Sequence, residues 1–130
     1  MPDSVRALTI YEGRIALIRV KRSDSDDDDT KPYAKLIGGH IEPPESPYDA
    51  VVRYVEDAFG LRPRTMYFAG TIRTRQGNRR YVYVMEGVRP DNIVAGSAIA
   101  EILWCDVRAL PSDWPNSRAI LAALMLVDVH

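Results

Sequence analysis

The run Gly38-Gly39-His40-Ile41-Glu42-Pro43-Pro44-Glu45-Ser46-Pro47 concentrates residue types that handle phosphates and metal ions. Paired glycines let a backbone approach a ligand closely. Carboxylates beside them are the hard oxygen donors that magnesium accepts, with substrate phosphates filling its remaining positions. Asp49, Arg53, Glu56 and Asp57 follow on a helical pattern. The same residues also fit a plain glycine turn and a solvated helix face, and spacing alone does not separate the two. His40, between Gly39 and Ile41, can donate to phosphate or ligate a metal, or do neither. A second chemical feature is a division of charge. From Ala58 to Met85 the chain has no acid and six arginines: Arg62, Arg64, Arg73, Arg75, Arg79 and Arg80. Arginine forks suit phosphate recognition, which makes His40, Arg79 and Arg80 the candidate substrate-binding residues. A basic hairpin tip could equally meet an acidic partner or the Asp24 to Asp29 run of another copy. It could also serve only to stay soluble and resist edge pairing.

These residues need elements to hold them. Val5 to Tyr11, the break Glu12-Gly13 and Arg14 to Val20 predict a β-hairpin. Ser23 to Thr30 carries five aspartates and nothing apolar, which predicts a solvated surface loop rather than a calcium loop with alternating ligands and a turn glycine. Tyr33 to Ile37 is a third short strand ending at Gly38-Gly39. Ser46, Pro47 and Asp49 then announce a helix, with Ser46 as cap and Pro47 at the first position. Tyr48, Val51, Val52, Val55, Ala58 and Phe59 share its apolar face, and Gly60 followed by Pro63 stops it. Thr65 to Thr74 and Arg79 to Glu86 are strands about the turn Gln76-Gly77-Asn78. Ile99 to Cys105 is another, and Asn116 or Ser117 caps a second helix running to about Val127. Tyr67, Tyr81, Tyr83 and Trp104 are aromatics on strands, suited to a core or to base stacking. The order strands, helix, strands, helix predicts a mixed α/β architecture.

The totals narrow the class. A chain of 130 residues suits one domain over residues 1–130, burying roughly two-thirds of its unfolded surface. A net charge of −1 argues against nucleic acid held by global positive charge. The longest apolar run, Ala119 to Val127, is nine residues, well short of the roughly 20 that a membrane span needs. Met-Pro-Asp-Ser-Val-Arg at the start has no apolar signal core, so a cytoplasmic location is expected. One cysteine, Cys105, excludes an internal disulfide and a multi-cysteine zinc site, and fits a small buried hydrophobe.

The stretch from Gly39 to Leu61 resembles the Nudix box, G-x5-E-x7-R-E-U-x-E-E-x-G-U with U a bulky aliphatic. Gly39, Glu45, Arg53, Val55, Gly60 and Leu61 fall on their places. Gly38 before the box, Glu101-Ile102-Leu103-Trp104 and Ala109-Leu110-Pro111 also look like the family, so the resemblance covers most of the chain. It implies an α/β/α sandwich around a mixed sheet. It implies hydrolysis of nucleoside diphosphate derivatives, water attacking a pyrophosphate with the help of Mg2+ or Mn2+. It assigns Gly38, Glu45 and Asp57 to the metal, Glu45, Asp57 and Glu101 to catalysis, and Gly39, Arg53 and Gly60 to the frame of the box. Arg53 is expected to bridge to Glu45 and fix the acidic loop on the helix. Glu101 alternatively is only a sheet-edge carboxylate near Trp104.

The departures from the pattern carry as much information. The family's helix carboxylates correspond here to Tyr54, Asp57 and Ala58, so only one remains, shorter by a methylene. Glu56 points about 100° away from that edge and is better placed to pair with Arg53. Because phosphoryl transfer depends largely on electrostatic stabilisation, the missing carboxylates imply weak hydrolysis. The alternative is a non-catalytic binding module for a nucleotide or a protein. A third reading is a structural partner in a homodimer or other oligomer.

Overall fold

A computed structural model describes residues 3–20, 34–63, 65–86, 88–97, 99–109 and 117–126. The Asp24 to Asp29 run, Tyr33, Arg64, Leu110, Pro111, Asn116 and Val127 lie outside them. Along the chain run β1 (Ser4–Tyr11), β2 (Arg14–Val20), β3 (Ile37–His40), α1 (Pro47–Phe59), β4 (Met66–Arg73), β5 (Arg79–Glu86), β6 (Ile99–Asp106) and α2 (Ser117–Met125). Glu12 and Gly13 close the β1–β2 hairpin, both at positive φ (49° and 75°). Two such residues in a two-residue loop match the right-handed twist of the flanking strands.

The six strands form one mixed sheet in the order β4-β5-β1-β2-β6, with β3 pairing to β1. β1 runs parallel to β5 and antiparallel to β2 and β3. Its two halves are used differently. Residues Ser4 to Ala7 pair with β3, while Ile10 and Tyr11 pair with the start of β2. The third strand therefore differs from expectation. It runs through both glycines to His40, because the amino-terminal half of β1 offers them a ladder, and Lys35 makes only an isolated bridge to Ile18.

Both faces of the sheet are covered. Val5, Ala7, Ala16, Ile18 and Ile37 pack with Ala50, Val51, Val55, Ala58 and Phe59 of α1. Leu8, Ile15, Leu17, Val82 and Val84 pack with Ile120 and Ala123 of α2 on the other side. Burial on two faces explains why Ile15-Ala16-Leu17-Ile18 is uniformly apolar instead of alternating. The buried stripe of α1 is turned from the expected one. Ala50 is inside, Val52 is half-buried, and Tyr48 is 48% exposed with its ring set edge-on to Tyr83. Among the described residues no helix is long and apolar enough to cross a membrane.

Candidate functional site

The acidic loop between β3 and α1 is built on a well-defined helix start. Ser46 sits in extended geometry and its Oγ accepts from the Asp49 amide at 3.1 Å, with Pro47 next in line. At the far end Gly60 takes the left-handed conformation (φ 68°) and donates to the Glu56 carbonyl at 2.9 Å. A side chain there would be strained and would crowd the Val94 carbonyl. The helix is thus fixed at both ends around Arg53, Tyr54 and Asp57.

Glu45 and Arg53 form the centre of the loop. Arg53 donates from Nη2 to Oε1 of Glu45 at 2.8 Å and from Nε to Oε2 at 3.2 Å. Oε1 also accepts from the Glu42 amide at 2.9 Å, while the Glu45 amide donates to the Glu42 carbonyl at 3.0 Å. The Arg53 hydrogen bond, with help from the Glu42 amide, holds the Glu45 carboxyl below the usual glutamate range, and Arg53 is raised in return. Glu42 adds a longer ion pair to Arg53 at 3.8 Å.

Tyr54 occupies the position of the first missing carboxylate. Its hydroxyl donates to the His40 carbonyl at 2.9 Å, an oxygen that Arg53 also reaches at 3.5 Å. The Arg53 guanidinium lies 4.4 Å from the centre of the Tyr54 ring. The ring covers Gly39, where a Cβ would stand only 2.6 Å from Cζ of Tyr54. Gly39 is therefore required by the close approach of Tyr54, and Gly38 lies beside it opposite Arg6 of β1. Ala58, at the last missing carboxylate, is 3% exposed and belongs to the core under α1. Asp57 alone projects from this helix edge into solvent.

These donors do not fit a multi-metal cluster. Among the described residues no three His, Cys, Asp or Glu side chains converge on one point. Both oxygens of Glu45 are occupied by Arg53, and among the described residues no second carboxylate shares the helix edge of Asp57. Glu101 lies on β6 across the ladder from Arg19 and pairs with it at 3.8 Å. Glu56 corrects an expectation: its ion-pair partner is Arg62 at 3.8 Å, because Arg53 is turned toward the loop.

The remaining candidates are dispersed. His40 is exposed and contributes its carbonyl to the loop. The pleat sends Arg79 and Arg80 to opposite faces, so they cannot grip one group as a pair. Arg79 is exposed and its amide donates to Asp3 Oδ1 at 2.9 Å. Arg80 shares the α2 side with Val82 and is half-buried. Sequence reasoning passed over Arg6, whose guanidinium is pushed down to about 10 by burial, then by Arg80 nearby. The signal was present: a lone charge inside the apolar strand Val5-Arg6-Ala7-Leu8.

A mixed sheet between two helices, with a capped helix that clamps an acidic loop after two glycines, defines the Nudix class. The family model for the NUDIX domain matches residues 1–124, and the chain belongs to that family. Solved structures agree on the fold. A MutT NUDIX hydrolase from Burkholderia pseudomallei superposes with a TM-score of 0.72 at 22% identity, covering 98% of each chain. An ADP compounds hydrolase gives 0.69 at 18% identity, over 96% of this chain and 70% of that one. The NUDIX domain of Shewanella oneidensis NrtR, complexed with ADP ribose, gives 0.65 at 15% identity over 96% and 86%. No curated protein matches the sequence.

Proposed function

We propose that this chain is a single Nudix domain that binds a nucleoside diphosphate derivative and hydrolyses it far more slowly than a complete box would. The observation that carries the reading is the exchange at Tyr54. A carboxylate there would face a metal ion, whereas the phenol donates to the His40 carbonyl and closes the box loop with a neutral hydrogen bond. Glu45 and Arg53 keep the loop in shape, so the ligand-binding frame is retained while the electrostatic machinery is reduced. The ligand class is supported by the relatives: one is named for ADP compounds and another was crystallised with ADP ribose. Its diphosphate would approach the backbone at His40, the exposed end of β3 beside the clamp. Asp57 can hold at most a weakly bound Mg2+ or Mn2+. A domain that acts inside the cell is consistent with this ligand class.

The test is paired. ADP-ribose should raise the melting temperature of the wild type by an amount that grows as RT ln(1 + [L]/Kd). Its turnover with Mn2+ should rise by about 10² in Tyr54→Glu, the usual scale for one electrostatic group in an active site. Ala58→Glu is a poor partner change, since it would force a carboxylate into the core. Wild-type turnover equal to that of Tyr54→Glu would refute the reading, provided that the variant melts cooperatively.

A further inference from the structure

Across the sheet from α1, between the β4–β5 hairpin and α2, lies a cavity of about 420 Å³. Its walls carry Arg75, Arg80 and Arg118, its floor is Ile72 and Ala122, and among the described residues no carboxylate lines it. Arg73 borders it but shares the other face with Arg79 and donates to the Gly77 carbonyl at 3.5 Å. The volume falls in the range of small-molecule sites. Three cations gathered around a concave surface, with no described acid among them, form a region of positive potential that favours an anion.

Arg80 is the half-buried member of the set. Its Nε is buried and has no hydrogen-bond partner among the described residues. A buried donor left unpaired is costly, more so when charged. Arg6 stands on the same face, from the neighbouring strand, and carries the electrostatic strain of Arg80 as well as its own burial. Arginine rather than lysine at these places matters, because the planar fork matches phosphate oxygens in pairs and sheds water more readily. One phosphate would leave most of the cluster uncompensated, whereas a chain of phosphates would meet several forks at once.

We propose that this cavity is a metal-independent binding site for an oligophosphate chain, free or carried on a nucleotide. The site does not depend on the Nudix box reading. Arg80 supplies the inner contact at the floor, and Arg75 and Arg118, both exposed, close the rim. The box loop, held by Glu45 and Tyr54 on the α1 side, is not part of it.

The experiment is calorimetric titration of the full chain with tripolyphosphate in EDTA. The wild type should bind, and Arg75→Glu combined with Arg118→Glu should weaken binding at least tenfold. Arg62→Glu, a charge reversal on the exposed surface outside the cavity, should leave it unchanged. ATP should compete with tripolyphosphate and adenosine should not, which separates the phosphate chain from the base as the recognised group. Absence of binding by the wild type would overturn the proposal. So would equal weakening by Arg62→Glu, which would reduce the effect to general charge. Loss of binding in Glu45→Gln with full binding in the rim variant would also overturn it, by moving the site to the box. None of these outcomes bears on turnover in Tyr54→Glu, so the two readings fail separately.

Discussion

At the scale of single residues, the box loop is held by Arg53 and the Glu42 amide donating to Glu45, and by Tyr54 and Arg53 donating to the His40 carbonyl. Glu45 titrates below its ordinary value of 4.5, chiefly because Arg53 donates to it. A group depressed in the folded state adds stability above its unfolded value and loses it as the pH falls through the folded one. The melting temperature should therefore drop as the pH is lowered from about 5, and Glu45→Gln should flatten that part of the curve while lowering the plateau at neutral pH. A scan of melting temperature against pH for both proteins checks this. Tyr54→Phe removes one donor from the exposed His40 carbonyl and should cost about 0.5–1 kcal/mol in denaturant unfolding. The Arg53–Glu45 pairing was legible only through the resemblance to the Nudix box, which implies that bridge. What Tyr54 does was not legible. Its partner is a main-chain oxygen fourteen positions away, and a backbone carbonyl has no residue type to announce it.

At the scale of elements, α1 positions the site because both of its ends are fixed. Ser46→Ala should cost about 1 kcal/mol through loss of the cap on the Asp49 amide. Gly60→Ala should cost more, about 1–2 kcal/mol for the left-handed backbone alone, before the contact with Val94. Chemical denaturation that ranks Ser46→Ala above Gly60→Ala would contradict this account of the helix ends. Caps, hairpin turns and strand positions were legible because they depend on local chemistry. The ends of β3 were not, since the ladder that extends it through Gly38 and Gly39 is supplied by Ser4 to Ala7, far away in sequence. The pairing of Glu56 failed for a related reason: helical spacing made Arg53 available, but tertiary contact with Glu45 had already taken it. The pleat likewise divides Arg79 from Arg80, which a count of nearby arginines does not reveal.

At the scale of the whole molecule, one mixed sheet serves two helices with separate chemistries. Phe59 anchors the α1 side and Ile120 the α2 side, each almost fully buried. Phe59→Ala should cost about 3–5 kcal/mol and Ile120→Ala about 2–5 kcal/mol, measured by denaturant unfolding. The net charge of −1 conceals an acidic clamp on the α1 side and an arginine cavity on the α2 side. The acid-free stretch was visible in the sequence, but its convergence with Arg118 required the fold. The central claim is that Tyr54 closes with a hydrogen bond what a carboxylate would open to a metal. Manganese binding followed by electron paramagnetic resonance tests it most directly. The wild type should take up no more than one Mn2+ per chain, weakly, and Tyr54→Glu should bind it more tightly. A wild type that binds two or more Mn2+ with an affinity that Tyr54→Glu does not improve would contradict the account.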